Sequence, residues 1–467
     1  MGKLAAKIKT IEALIAGFFL LRLVGIRNAP LETWHSWRQT LTNMMARNLS
    51  EGPFSLLYPV VDMGGERTGI IGSEFPFFQS LIAGCNLLFG EAHWYGRLIN
   101  LIVSSVAVYL FFRLCKRWWN ERTAWYAAVI LLTSLWFAFS RKSMPDTFSV
   151  SLVIIGIYWF QHYIDSRKWW TIILGFAFIT IGGLCKIPAV FLFGLIVPLW
   201  MARTIRFKLK LQITAAVSLA SIIILWWYFI WVPYLVTTYG FQLYFPKGLA
   251  EGWSEIRPHI GDFAMQFYFG ALRSYTVLFP FLLGIIWIGY RSNRLALAGF
   301  STLAAIFLFF SIKTGAVFPT HNYYVLPFVP VMAVIAALGL QRLEPRFAFP
   351  LLVLIGLEGI INQQHDFFIK NEVRYKLTLE EQVDKLVPKG EKIVIATGPD
   401  PQWMYFYHRK GWSLEPAEIT DADRMKTVRS QGGHYIVIDK RVEDLRLNYR
   451  KIGETKDLAV YETPSAD

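Results

Sequence analysis

The stretch SRKSMPDTFSVSLVIIGIYWFQHYIDSRKWWTIILGFAFITIGGLCKIPAVF, residues 140–191, decides how this chain is read. Two apolar runs, 146–164 and 169–184, are separated by little more than Arg167 and Lys168. Each is near the length of roughly 17–25 residues with which a helix crosses a bilayer. The spacing therefore predicts a membrane hairpin. Its polar groups are sorted by end, with Arg141, Lys142 and Asp146 before the first helix and Lys186 after the second, all opposite the Arg167–Lys168 turn.

Outward from this hairpin, further apolar runs occur at 10–26, 95–112, 123–140, 187–202, 211–233, 274–290, 295–312, 323–341 and 347–362. The expectation is an all-α polytopic membrane bundle of about eleven transmembrane helices. Composition agrees, since the 467 residues are 54% hydrophobic and only 17% charged, against about 25% charged in ordinary soluble domains. The net charge of +14 does not mark a nucleic-acid partner, because the basic residues lie in short clusters between apolar runs. Cys85, Cys115 and Cys185 are odd in number, lie in or beside apolar segments and have no metal-ligand spacing, so no disulfide framework or zinc site follows. The N-terminal apolar run has no small-residue cleavage site before Arg27 and reads as a retained first helix.

Charge sets the topology. One further apolar segment, 76–90, is short for a span and is expected as an interfacial or re-entrant helix. Lys3, Lys7 and Lys9 then share a side with Arg113, Lys116, Arg117 and Arg122, and with Arg167 and Lys168. The clusters Arg203, Arg206, Lys208 and Lys210, then Arg291 and Arg294, then Arg342 and Arg346 fall there too. The positive-inside rule makes that side cytoplasmic. Loops 27–94 and 234–273 and everything after about 363 are then extracytoplasmic. In the tail, KIVIAT (392–397), HYIVID (434–439) and DLAVY (457–461) read as strands, with helices at 379–387 and 421–430. Two domains are expected, a membrane catalytic domain over 1–362 and a small extracytoplasmic α/β domain over 363–467. The tail carries no glycine-rich nucleotide fingerprint.

Candidate chemistry gathers at the extracytoplasmic end. In LETWHSWRQTLTNMMARNL (31–49), a helix puts His35, Arg38, Gln39 and Thr42 on one face, with Trp34, Trp37, Leu41, Met44 and Met45 mainly on the other. This reads as a helix lying on the membrane with a polar face turned to a site. The plain alternative is a solvated surface helix, but His, Arg and Gln beside Glu32 are not the lysines that solubility favours. Asp146 follows Pro145 at a helix start, where a carboxylate also serves the helix dipole; Arg141 and Lys142 beside it run against the charge bias. Lys186 and the segment KTGAVFPTHNYYVLPFVP (313–330), with His321, Tyr323 and Tyr324, lie at the same level. A snorkelling lysine and a capping histidine are ordinary explanations. Four such positions on one face of a membrane point instead to a cationic pocket beside carboxylates, suited to a lipid phosphate.

The order ARNLSEG (46–52), GSEFPFFQSLIAGCNLLFG (72–90), WYGRLIN (94–100), MPDTF (144–148) and HNYYVLPFVP (321–330) resembles the GT-C glycosyltransferases, specifically glycosyltransferase family 39, which includes protein mannosyltransferases and lipid A aminoarabinose transferases. The resemblance spans nearly the whole membrane part. It implies a glycosyltransferase of the bacterial inner membrane that moves a sugar from a polyprenyl-phosphate donor, with inversion, to an extracytoplasmic lipid, glycan or protein. Glu32, Asp146 and Glu74 match its catalytic carboxylates, and Phe75 stands where a basic residue often follows the last. Lys186 and His321 match positions that approach the donor phosphate. His35, Arg38, Gln39, Arg141, Tyr323 and Tyr324 complete the expected substrate-binding set. No cofactor is demanded, and a divalent metal in place of some cationic contacts stays open. Two other classes are carried beside this one. A polytopic transporter or lipid flippase would place ionisable groups near the midplane, and a scaffold subunit would need no converging acids and cations.

Overall fold

The structure, a computed structural model, describes residues 11–32, 35–241, 246–290, 293–363, 367–443 and 445–464. Lys3, Lys7, Lys9, Trp34 and Arg291, used above, lie outside the described residues. Every expected span has a helical counterpart, from Ile11–Arg22 to Pro345–Ile361. Tyr95–Trp118, Pro145–Ser166, Phe207–Tyr239, Arg294–Thr314 and Asn322–Leu340 are each long and apolar enough to cross a membrane. Trp169–Cys185, Ile187–Met201 and Leu278–Tyr290 are shorter apolar helices, as is Phe77–Phe89, the segment expected not to span. The chain is a multi-pass membrane protein. Its many lipid-ready side chains, such as Ile222, Phe229, Ile286 and Phe309, are exposed along these helices, as a protein solvated by hydrocarbon requires.

Packing divides the chain into two compact units. The first comprises Met1–Ile26, Arg97–Ile230 and Phe245–Asp366; the second joins Arg27–Gly96 and Trp231–Tyr244 to the tail Phe367–Asp467. In the first unit, Pro145–Ser166 and Trp169–Cys185 pack as the expected hairpin. Pro at the first helical position opens the first helix and Arg167 in left-handed geometry closes it. Close approach depends on glycine. A Cβ on Gly156 would come within 2.6 Å of the Ile179 side chain and 2.9 Å of the Gly175 carbonyl, so the helices touch through small residues, as membrane helices commonly do. The second helix stops at Lys186, which is extended (φ −161, ψ 111). Pro188 lacks the N–H that would continue the helical ladder back to Leu184, and the chain restarts as a 3₁₀ helix over Ile187–Leu195.

In the second unit the tail forms a five-stranded mixed sheet of order β2-β1-β3-β5-β4. The strands are β1 Ile393–Ile395, β2 Gly411–Ser413, β3 Tyr435–Asp439, β4 Lys451–Glu454 and β5 Leu458–Glu462. β1 runs parallel to β2 and β3, whereas β5 is antiparallel to β3 and β4. The sequence indicated β1, β3 and β5; the other two are short, and β4 is largely exposed, so neither has an apolar run to announce it. Alternation along β1 splits the core in two. Val394 joins Trp412, Met425, Val428 and Ile436 on one face. Ile393 and Ile395 join Met404, Tyr407 and Val460 on the other.

That second cluster also contains Leu41, Met44 and Met45 of the helix Ser36–Glu51. The apolar face expected to lie on the membrane is therefore enclosed by the tail of its own unit. The sequence reading had the face right and its partner wrong, because amphipathic periodicity does not distinguish a lipid surface from a protein one.

Candidate active site

In the first unit the structure brings Asp146 and Lys186 together. Asp146 lies in the first turn of its helix and is 4% exposed. Lys186 Nζ stands 3.7 Å from Asp146 Oδ1. That separation is electrostatic contact without a hydrogen bond. Asp146 Oδ2 is buried without a hydrogen-bond partner among the described residues, a state uncommon enough in native proteins to call for an explanation. Ser149 fixes the geometry, its Oγ donating to the carbonyls of Gly182 at 2.6 Å and Lys186 at 3.2 Å. A break in one helix and the start of another are thus tied side by side.

His321 immediately precedes the 3₁₀ helix Asn322–Phe328, which packs on both the Asp146 helix and the 3₁₀ helix after Lys186. Phe328 and Phe191 meet across the latter contact, with ring centroids 5.9 Å apart. The half-buried His321 ring has Tyr323 at 5.5 Å and Tyr324 at 6.3 Å, and its Nδ1 is 2.9 Å from Thr320 Oγ1. Arg141 is placed differently from a free phosphate ligand. It is fully buried, and its guanidinium donates to the carbonyls of Arg22 and Val24 at 3.1 and 2.7 Å. It thereby serves carbonyls left open at the end of the Ile11–Arg22 helix. Asn100 binds the carbonyls of Phe139, Lys142 and Met144, holding the turn that leads into Asp146.

In the second unit, Arg38 and Glu74 form a buried ion pair. Gln39 and Thr42, on the same face as Arg38, are fully buried. Glu32 is also buried; Asn28 Nδ2 lies 3.5 Å from its Oε1, and its backbone bridges Ile369. His35 occupies the N-cap of the helix in left-handed geometry (φ 62), which is uncommon for a residue other than glycine and marks local strain. Sequence reasoning passed over Gln79. It is fully buried on Phe77–Phe89, a helix packed against Ser36–Glu51, and neither atom of its amide has a hydrogen-bond partner among the described residues. The signal available was a glutamine inside an otherwise apolar run.

The expected residues therefore fall into two sets, with Arg141, Asp146, Lys186, His321, Tyr323 and Tyr324 in one unit and Glu32, His35, Arg38, Gln39 and Glu74 in the other. None of the three candidate carboxylates belongs to a metal-ligating group among the described residues. The one such group there is Glu51, Glu91 and His408 of the second unit, with ligand atoms within 4.8 Å of one another. His408 lies between carboxylates, with Nε2 3.0 Å from Glu51 and Nδ1 3.1 Å from Glu380. Burial raises the Glu91 carboxyl above its usual range, helped by the charges of Glu51 and Glu380 and opposed by Arg47 and His408. Arg47 and the His408 ring already stand against these carboxylates.

Comparison with known proteins agrees with this architecture. A family model described as dolichyl-phosphate-mannose-protein mannosyltransferase matches residues 73–231, a segment holding Glu74, Asp146 and Lys186. No curated protein sequence matches the chain. Among solved structures, ArnT from Cupriavidus metallidurans bound to undecaprenyl phosphate superposes with a TM-score of 0.63 at 11% identity, covering 97% of each chain. Its apo form gives 0.64 at 12% identity, covering 97% of this chain and 98% of that one. The archaeal oligosaccharyltransferase AglB from Archaeoglobus fulgidus, in complex with an inhibitory peptide and a dolichol-phosphate, gives 0.59 at 12% identity, covering 92% of this chain and 69% of AglB. At such identities the likeness is one of fold, and the fold is the GT-C arrangement that the motif order implied.

Proposed function

We propose that this chain is a membrane glycosyltransferase that moves a sugar from a polyprenyl-phosphate carrier to an extracytoplasmic acceptor, and that Asp146 and Lys186 lie at its reacting centre. The observation that carries this reading is their ion pair, in which a buried Asp146 faces a half-buried Lys186 at 3.7 Å without a hydrogen bond. A fully satisfied structural bridge would close to about 2.8 Å. An open pair is ready to exchange partners. When a phosphate arrives, Lys186 pairs with it, and the Asp146 carboxylate keeps its lone pairs for the acceptor. The acceptor's oxygen or nitrogen then attacks the anomeric carbon as the bond to the phosphate oxygen breaks. The carrier phosphate leaves with the bonding electrons, and the acceptor's proton passes to a carboxylate, with Asp146, Glu74 and Glu32 the candidates. A fixed cation stabilises charge that develops only as the phosphate departs, so it lowers the barrier more than it strengthens ground-state binding. His321 and the adjoining tyrosines are assigned to the donor as well. Arg38 is assigned to substrate through Glu74, and Arg141 to holding the turn before Asp146.

The bacterial inner membrane, a cytoplasmic N-terminus and an extracytoplasmic tail complete the proposal, supported by the distribution of basic loops. A transporter reading gains no support from the pair, which sits where helices begin and end rather than midway along them. Turnover by purified protein tests the function. A polyprenyl-phosphate sugar should be consumed with release of polyprenyl phosphate, and equal use of a soluble nucleotide sugar without lipid would overturn the reading.

A further inference from the structure

The first unit contains a cavity of about 440 Å³ that plays no part in this chemistry. Gln161 lines it on the same helix that Asp146 begins. Fifteen residues of helix separate the two, placing the cavity roughly 22 Å along the helix from Asp146. Of its lining residues Ile179, Leu192 and Leu303 are buried, whereas Ala202 and Ile205 are half-buried and Leu295 is exposed, which sets its mouth at the last three. Leu303 lies eight residues beyond Leu295 on one helix, so the cavity reaches about 12 Å into the bundle. Arg203, Arg206 and Arg294 are interleaved with the mouth residues in sequence and exposed. Their side chains form no ion pair among the described residues, in contrast to Arg117, whose charge is met by Asp165.

An apolar slot opening among three uncompensated arginines, in a bundle solvated by lipid, has the chemistry of an amphiphile with an anionic head. We propose that it binds one anionic phospholipid, with an acyl chain in the cavity and the phosphodiester head among Arg203, Arg206 and Arg294. The occupant is a membrane phospholipid and not the donor's carrier, because the Asp146–Lys186 pair lies toward the opposite end of the same helix. A basic residue near an anionic headgroup favours it by roughly fivefold, so even partial engagement of three gives a preference of about tenfold or more.

The test uses the full chain, purified in detergent, stripped of lipid and examined by native mass spectrometry with phosphatidylglycerol or phosphatidylcholine of matched acyl chains. One phosphatidylglycerol should be retained per protein, about tenfold more tightly than phosphatidylcholine. Arg203→Gln, Arg206→Gln and Arg294→Gln together should erase the preference, and Ala296→Trp, which fills the cavity, should abolish retention of both lipids. Equal retention of the two lipids by the unaltered chain would overturn the proposal, as would an unchanged preference in the triple variant or displacement of phosphatidylglycerol by equimolar polyprenyl phosphate. Should Ala296→Trp fail to fold, the arginine variants still decide. Lys186→Ala should leave phosphatidylglycerol retention unchanged, which separates failure of this site from failure of the transferase reading.

Discussion

Arg38 and Glu74, 36 positions apart in the chain, meet as an ion pair whose side chains are only 9% and 10% exposed. Burial on this scale makes each charge depend on the other. Desolvating a lone guanidinium or carboxylate costs several kcal/mol, so removing one partner is far more damaging than replacing both. Arg38→Met should destabilise the protein by about 3–5 kcal/mol, and the Arg38→Met/Glu74→Met double variant should recover much of that loss. Thermal unfolding of detergent-solubilised protein measures both. Equal melting temperatures for wild type and Arg38→Met would show that the pair is solvated in practice.

Lys186→Ala should lower kcat/KM for a polyprenyl-phosphate sugar by about 10²–10³, the loss typical of removing one preorganised charge-stabilising group. Stability should fall as well, because the change leaves the buried Asp146 carboxylate without its counter-charge, so the rates are compared on protein shown by its melting curve to be folded. Wild-type kinetics in this variant would return Lys186 to snorkelling.

Asp146→Asn should be comparably severe, and Asp146→Asn/Lys186→Ala should be little worse than either single change, because members of one catalytic unit are not additive. Steady-state kinetics of the four proteins forms the cycle. Losses that multiply would separate the two roles.

The tail offers a prediction about pH. Burial pushes the Asp400 carboxyl above its ordinary value of 3.8, against hydrogen bonds from Gln402 and the charge of Lys376. A carboxyl whose folded value is raised binds its proton more tightly in the folded state. Its penalty is absent below the unfolded value and complete above the folded one, so stability falls as pH rises through that window. Asp400→Asn should flatten this part of the stability profile relative to wild type, as read by chemical unfolding between about pH 3 and 7. An identical slope in both proteins would remove Asp400 from the account.

Topology is tested with single cysteines in a cysteine-free background. Impermeant reagents applied to sealed cells should reach Ser254→Cys and Ser430→Cys and should not reach Thr204→Cys. Labelling at 204 from outside would invert the assignment.

The sequence by itself determined the membrane hairpin around Asp146 and Lys186, the other spans and three of the five tail strands. It did so because those properties are local: a run of apolar residues, a proline before an acid, alternation over five positions. It also marked Asp146, Lys186 and His321 as candidates, since each sits where a helix begins or breaks. What periodicity left undecided was the identity of each partner. Only the tertiary structure joined Arg38 to Glu74, enclosed Leu41, Met44 and Met45 beneath the tail and turned Arg141 toward the carbonyls of Arg22 and Val24. Pairing across tens to hundreds of residues is set by how helices and loops pack. A charge in the sequence carries its sign but not the address of the group that will neutralise it.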